Sequence, residues 1–193
     1  MRNLTLAICL AAAVLLSACS ERSATERTRA VYYWSTVLDV DTVKQAFLKA
    51  HGVRRMYVRY FDVVPGDGGR PVPNATLRFK TAVPEGLEVV PTVYIVNECM
   101  AGDTAGLARK VLRRVVRMSE TNGVKGVSEV QIDCDWTRRT RPRYFGFLRT
   151  LVALAGSEGI DVSVTIRLHQ LSEAPPSVEH RVLMLYYSGV VPE

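Results

Sequence analysis

Residues 127–136 read VSEVQIDCDW, and this stretch decides the fold. Its first half is rich in β-branched residues and carries few charges, which predicts a β-strand that is covered on both faces. Before it, Leu107, Val111 and Val115 recur at the spacing of one helix face. After it, Pro142 suits the first turn of a second helix. A strand placed between two helices is the repeating unit of a parallel α/β fold.

The same alternation extends through a single domain that we assign to residues 31–193. Strands are predicted at residues 31–38, 55–63, 88–96, 127–134, 160–168 and 181–187. Helices are predicted between most of them, whereas the proline-containing residues 65–86 lack a helical pattern. We therefore predict an α/β, TIM-barrel-like (β/α) fold that is truncated after about six strands, since a complete barrel takes about 250 residues. The pattern alone leaves open a complete, doubly wound sheet.

The amino terminus has the pattern of an export signal. Arg2 precedes an apolar run that is too short to span about 30 Å of hydrocarbon as a helix. The run ends in LSAC, which resembles the lipobox of bacterial lipoproteins. We therefore expect residues 1–18 to be removed as a signal peptide, Cys19 to carry lipid, and residues 19–30 to include a polar tether to a membrane of the bacterial cell envelope. An ordinary secreted protein with a chance cysteine at this position is the alternative.

Charge and cysteine content limit the classes of partner. The formal net charge is +6, and the basic residues are spread out apart from the arginines within residues 138–143. An exported protein seldom meets nucleic acid, so this cluster predicts either a solvated loop or a contact with an anionic ligand or membrane surface. Export permits a disulfide between Cys99 and Cys134. No cysteine or histidine spacing typical of zinc occurs, and we expect neither a metal nor another cofactor.

Carboxylates follow two of the predicted strands. Ligand sites in parallel α/β folds lie at the carboxyl ends of the strands. Asp133 and Asp135 are two residues apart and share a face if the strand continues. Two like charges at close range raise the pKa of one group, which suits a general acid. With Glu98, which ends the third strand, they are the candidate catalytic residues, although helix capping and loop contacts are the structural alternatives.

Cationic and aromatic residues at the same strand ends are candidates for binding a substrate. They are Arg59, Trp136, Arg167, His169 and Tyr186. Arg59 and Asp62 would lie on opposite faces of a regular strand, and a buried Arg59 could instead pair with a carboxylate such as Asp133. The aromatic residues, together with Trp34, could stack on sugar rings, and core packing explains them equally well.

One short segment resembles a known motif. Residues 130–137 are similar to the fourth-strand motif Asp-x-x-Asp-x-Asp-x-Glu of the chitinase-type glycoside hydrolases. Asp133 and Asp135 match its last two aspartates. Val130 replaces its first aspartate, and Thr137 replaces its catalytic glutamate. The resemblance implies a glycoside-hydrolase-like barrel that lacks the usual acid.

A second resemblance extends over most of the domain. The segments that carry it are VYYWSTV, RMYVRYFDVV, VVPTVYIVNE, EVQIDCDWT, TIRLHQ and LMLYYSG. They look like successive strands of an uncharacterised family of bacterial lipoproteins with a glycoside-hydrolase-like barrel, whose members continue beyond the sixth strand. The resemblance favours the barrel over the doubly wound sheet and implies a carbohydrate partner. Three alternatives follow: a glycoside hydrolase, a non-catalytic glycan-binding lipoprotein, or a truncated inactive product.

Overall fold

A computed structural model of the protein describes residues 28–173, 176, 178 and 180–184. The predicted signal peptide, the lipidated Cys19 and the candidate Tyr186 lie outside the described residues. The side chain of His169 lies outside the description too. Within the described ranges, no helix combines the length and the apolar character that crossing a membrane requires.

Nine strands and three helices alternate along the described part of the chain. In chain order they are β1 (Arg29–Tyr33), β2 (Val37–Leu38), α1 (Thr42–Ala50), β3 (Val53–Pro65), β4 (Pro71–Asn74), β5 (Arg78–Phe79), β6 (Glu88–Ile95), α2 (Thr104–Thr121), β7 (Glu129–Cys134), α3 (Arg141–Ser157), β8 (Asp161–Arg167) and β9 (His180–Met184). Short 3-10 turns follow several strands, among them Asn97–Ala101 after β6 and Leu168–Gln170 after β8.

Six parallel strands form one curled sheet in the order β1-β3-β6-β7-β8-β9. The order follows the chain without a reversal, as in the wall of a barrel, whereas a doubly wound sheet reverses its order at a switch point. The predicted α/β class and the six parallel strands are therefore confirmed as a curled half-barrel. The doubly wound alternative does not fit the observed order.

Two predicted boundaries differ from the structure. The strand predicted at residues 31–38 is divided into β1 and β2, and β2 leaves the main sheet to pair with β5. The segment predicted to be irregular, residues 65–86, contains β4, which pairs antiparallel with β3, as well as β5. Pro71 and Pro73 lie in β4, where their missing N–H groups are tolerated because β4 is an edge strand.

The two faces of the curled sheet have opposite chemistry. On the convex face, Val130, Ile132 and Cys134 of β7 are fully buried in the hydrophobic core. The buried residues Leu107, Val111 and Val115 of α2, and Tyr144, Phe147 and Leu151 of α3, belong to the same core. Alternate positions of the strands point to the concave face, where buried residues include Thr92, Gln131, Asp133, Ser163 and Thr165. The apolar face thus stabilises the domain, and the polar face is left for other chemistry.

A side-chain contact across the concave face shows how strongly the sheet curls. The hydroxyl of Tyr32 in β1 donates a hydrogen bond of 2.9 Å to Oε1 of Gln131 in β7. Two strands lie between them, so a flat sheet would hold β1 and β7 about 14 Å apart. At the amino-terminal edge, Arg55 of β3 likewise reaches past β6 and bonds to Glu129 of β7 at 3.1 Å. The concave face is therefore narrow, and side chains such as Tyr32 and Gln131 meet across it midway along the strands.

Candidate functional site

The strand register brings polar side chains together at the carboxyl edge of the concave face. Asp62 of β3 pairs with Tyr94 of β6, and Tyr94 pairs with Asp133 of β7. Neighbouring strands are about 4.8 Å apart, so these three side chains form a continuous row. Arg167 ends β8, the next strand along, and completes the row.

Arg167 lies between the two aspartates that the sequence singled out. Its Nη2 is 3.1 Å from Oδ1 of Asp133, and its Nε forms an ion pair with Asp135. Asp133 is only 2% exposed and also accepts a 2.6 Å hydrogen bond from the hydroxyl of Thr165. A buried carboxylate needs such partners. The guanidinium offsets the repulsion between the two carboxylates and holds both at the edge of the site.

Asp135 is the more accessible member of this ion-paired cluster. Its side chain is 41% exposed, against 3% for the side chain of Asp133. The cluster therefore has a buried anchor, Asp133, and an outer carboxylate, Asp135, that an incoming ligand can reach.

Arg59 pairs within its own strand, and the expected geometry was wrong on this point. Its Nε donates to Oδ1 of Asp62 at 2.7 Å, and no bond to Asp133 is formed in the described structure. The reason is a β-bulge. Arg59 pairs with Thr92 and Phe61 with Val93, which leaves Tyr60 as an extra residue. The extra residue turns Arg59 and Asp62 to the same concave face.

Tyr94 separates the Arg59–Asp62 pair from the Arg167 cluster, and sequence reasoning missed it. Burial raises the pKa of its hydroxyl, and the negative charge of Asp133 adds to the effect. The hydroxyl therefore keeps its proton at neutral pH and can donate a hydrogen bond. Tyr94 and Thr165 could have been predicted from the alternation of side chains between the two faces of the sheet. Applied to β6 and β8, it places both side chains on the same face as Asp133.

Two of the predicted site residues lie apart from this row. Glu98 is exposed on the 3-10 turn after β6. Trp136 is only 2% exposed, and its ring stacks on Tyr144 of α3 at a centroid distance of 6.1 Å, within the core layer. The structure therefore places the Trp136 ring against the convex-side helices.

The basic cluster makes contacts within the protein. Arg138 and Arg141 both bind Glu173, and Arg143 donates to the backbone carbonyl of Ala101. The side chain of Arg138 is nevertheless 84% exposed. Arg138 and Arg141 thus connect the start of α3 to the segment after β8, whereas Arg143 connects α3 to the 3-10 turn after β6.

The two cysteines are buried thiols. Neither Cys99 nor Cys134 forms a disulfide in the structure. Burial raises the pKa of the Cys99 thiol to about 11, and it raises the pKa of Cys134 as well. Because the thiolate is the reactive form, both thiols are inert at neutral pH. Among the described residues, no three histidine, cysteine, aspartate or glutamate side chains are grouped so as to hold a metal ion.

Comparison with known proteins supports the fold assignment. The sequence matches no protein-family profile, and no curated protein matches it in sequence. In structure it is similar to a chitinase from Chromobacterium violaceum, with a TM-score of 0.54 and 11% sequence identity over 83% of this chain. The match spans 57% of that chitinase. At this identity the likeness shows a shared fold, and the predicted resemblance to a glycoside-hydrolase-like barrel is confirmed at the level of the fold.

Proposed function

We propose that carbohydrate is the ligand of this protein, and that the carboxyl edge of its concave face binds a glycan. The observation that carries the proposal is the Asp133–Arg167–Asp135 cluster, which lies at the carboxyl edge of a half-barrel with a chitinase-like fold. Sugar hydroxyls both donate and accept hydrogen bonds. The exposed carboxylate of Asp135 and the hydroxyl of Tyr94 offer one acceptor and one donor to such groups.

The geometry favours binding over hydrolysis. Glycosidases use two carboxyl groups that flank the bond, and one of them must donate a proton. Asp133 and Asp135 are both ion-paired with the guanidinium of Arg167, so the two carboxylates bind one side chain of the protein and do not flank an open space between them. Thr137, at the position of the missing glutamate, is an exposed hydroxyl that bonds to Thr140. Hydrolysis remains the second candidate, supported by the accessible carboxylates of Asp135 and Glu98.

One pair of assays separates these two functions. The full-length protein is titrated calorimetrically with oligomers of N-acetylglucosamine, and the release of reducing ends is measured in parallel. The variant Asp135→Asn removes the outer carboxylate. The matched control Asp161→Asn makes the same change at an exposed position on the amino-terminal edge of β8.

A glycan-binding protein and a hydrolase should give different results in these assays. Binding without turnover, weakened by Asp135→Asn and unchanged by Asp161→Asn, supports a glycan-binding protein. Turnover that Asp135→Asn abolishes while binding persists supports a hydrolase. If a panel of other polysaccharide fragments also gives neither heat nor product with the native protein, the carbohydrate proposal fails.

We further propose that the domain is held on a bacterial membrane by lipid on Cys19, as its LSAC segment predicts. The test is incorporation of radiolabelled palmitate in a bacterial host. Cys19→Ser should abolish labelling and release the protein from the membrane fraction, while Cys9→Ser, within the expected signal peptide, should leave labelling intact. Labelling that survives Cys19→Ser would contradict a lipid anchor at this residue.

A further inference from the structure

The outer side of α2 carries a group of exposed cations. The buried residues Leu107, Val111 and Val115 mark the side of this helix that packs on the core. At 3.6 residues per turn, the opposite side is formed over an arc of about 100° by basic residues. They are Arg109, Lys110, Arg113 and Arg117, and all four are exposed. We call these four residues the basic face.

The cations of the basic face repel one another without local compensation. Within the part of the chain that the structure describes, none of the four forms an ion pair. Exposed lysines elsewhere do pair: Lys44 with Asp41 at 3.5 Å, and Lys80 with Asp39 at 2.7 Å. Like charges four residues apart destabilise a helix. An anionic partner that binds the basic face would offset this repulsion.

Most of the positive charge of the chain is concentrated on α2 and α3. These two helices carry eight basic residues and one acidic residue, whereas the formal net charge of the whole chain is +6. The rest of the chain is therefore close to neutral. Because α2 and α3 are neighbours on the convex side of the sheet, the positive charge lies on the side opposite to the concave face.

An apolar groove of about 470 Å³ lies between α2 and α3, beside the basic face. Leu112, Val116 and Leu154 supply its apolar lining. Its two acidic residues, Glu120 and Glu158, lie where the two helices end, so they offset the positive charge only there. Basic side chains beside apolar surface are the combination that binds to the headgroup layer of an anionic bilayer.

The expected lipid anchor would bring the basic face close to a bilayer. Cys19 precedes Arg29, the first residue of β1, by ten residues, which can span at most about 35 Å. β1 begins at the amino-terminal edge of the sheet, and α2 ends at the same edge because it leads into the parallel strand β7. Since α2 is about 27 Å long, a bilayer within reach of the anchor can lie along the helix.

We infer that the basic face of α2 is an electrostatic docking surface for the anionic phospholipid headgroups of a bacterial membrane. The inference goes beyond the proposed glycan binding and relies on the proposed lipid anchor only for proximity to the bilayer. Because α2 lies on the convex side, this contact directs the concave face, with Asp135 at its carboxyl edge, away from the lipid. The anchor holds the protein near the membrane, and the basic face sets its orientation there.

The test is co-sedimentation with lipid vesicles. The full-length chain with Cys19→Ser, which cannot carry lipid at that residue, is mixed with vesicles of phosphatidylcholine alone or of equal parts phosphatidylcholine and phosphatidylglycerol. Two variants of this chain lose the same amount of charge. The test variant combines Arg109→Gln, Arg113→Gln and Arg117→Gln. The control combines the same change at exposed arginines outside α2 and α3, as Arg70→Gln, Arg78→Gln and Arg139→Gln. All chains share one amino terminus, so any binding by residues 1–18 contributes equally.

The chain with an intact basic face should bind the anionic vesicles more tightly than the neutral ones. Each basic residue near an anionic surface contributes about fivefold to affinity, so the test variant should bind the anionic vesicles roughly 100-fold more weakly. The control should lose little. Replacing the same three arginines of α2 by lysine should preserve binding, because the charge is kept. Binding should also weaken steeply with added salt, since the Debye length falls to about 3 Å at roughly 1 M.

Three results would overturn the inference. The first is an equal loss in the test variant and the control, because net charge and not the basic face would then determine binding. The second is binding that is equal on the two kinds of vesicle or absent from both. The third is tighter binding to a soluble acidic polysaccharide, such as polygalacturonate, that the test variant loses. Palmitate labelling and the glycan titration do not depend on the basic face, so its failure is distinguishable from failure of the anchor or of glycan binding.

Discussion

Arg167→Met is the change that tests the central ion-paired cluster most directly. Arg167 supplies the cationic partner of the buried Asp133, and methionine keeps much of its length without its charge. Thr165 would remain as a hydrogen-bond donor to Asp133. Removing one partner of a buried ion pair leaves an uncompensated charge and costs about 3–5 kcal/mol of folding free energy. The pair with Asp135 adds little, about 0–1 kcal/mol, because that carboxylate is partly solvated.

The assay is urea denaturation at neutral pH, followed by far-UV circular dichroism. Arg138→Met is the matched control, since Arg138 is ion-paired with Glu173 but its side chain is 84% exposed. An exposed pair contributes about 0–1 kcal/mol. Arg167→Met should therefore lower the free energy of unfolding several times more than the control does.

A second substitution identifies the cause of the loss. Adding Asp133→Asn to Arg167→Met removes the uncompensated charge of the Asp133 carboxylate, so the double variant should regain part of the lost stability. A loss of less than about 1 kcal/mol in Arg167→Met, equal to that of an exposed pair, would refute the reasoning. A double variant that is less stable than Arg167→Met would refute it as well.

Three further predictions concern the scaffold, and urea denaturation measures each of them. Burial raises the pKa of Tyr60 to about 12, against roughly 10 in an unfolded chain. Its contribution to stability is therefore complete below pH 10 and is lost as pH rises through 12, and Tyr60→Phe should lose less stability in that window. Phe147→Ala, at a fully buried position, should cost about 3–5 kcal/mol. Asp103→Ala should cost about 1 kcal/mol by removing the cap on the Gly106 amide, whereas Asp103→Asn should be nearly neutral.

The strands and their order could be predicted from the sequence because they depend on local patterns. The apolar run in β7, the periodic helix before it and Pro142 after it are each short-range signals. Parallel strands joined by helices then leave few possible topologies. The β4 strand was missed because its two prolines argue against a strand, and only its position at an edge of the sheet makes them acceptable.

The bulge at Tyr60 shows why the site was predicted only in part. Asp133, Asp135 and Arg167 follow from regular alternation, and the structure brings them together. The bulge depends instead on how β3 fits against β6, since Tyr60 and Phe61 are both apolar and both enter the core. A one-residue shift reverses the faces of all later residues in a strand. No local signal specifies such a shift.

The concave face itself gives a reason to expect a polar ligand. Gln131 and Ser163 are fully buried there, and neither Nε2 of Gln131 nor Oγ of Ser163 has a hydrogen-bond partner among the described protein groups. A buried polar group without a partner costs about 1–3 kcal/mol, and apolar side chains at these positions would stabilise the sheet more. A polar concave layer is therefore compatible with the proposed binding of a polar ligand, because this layer lies directly beneath the row formed by Asp62, Tyr94 and Asp133.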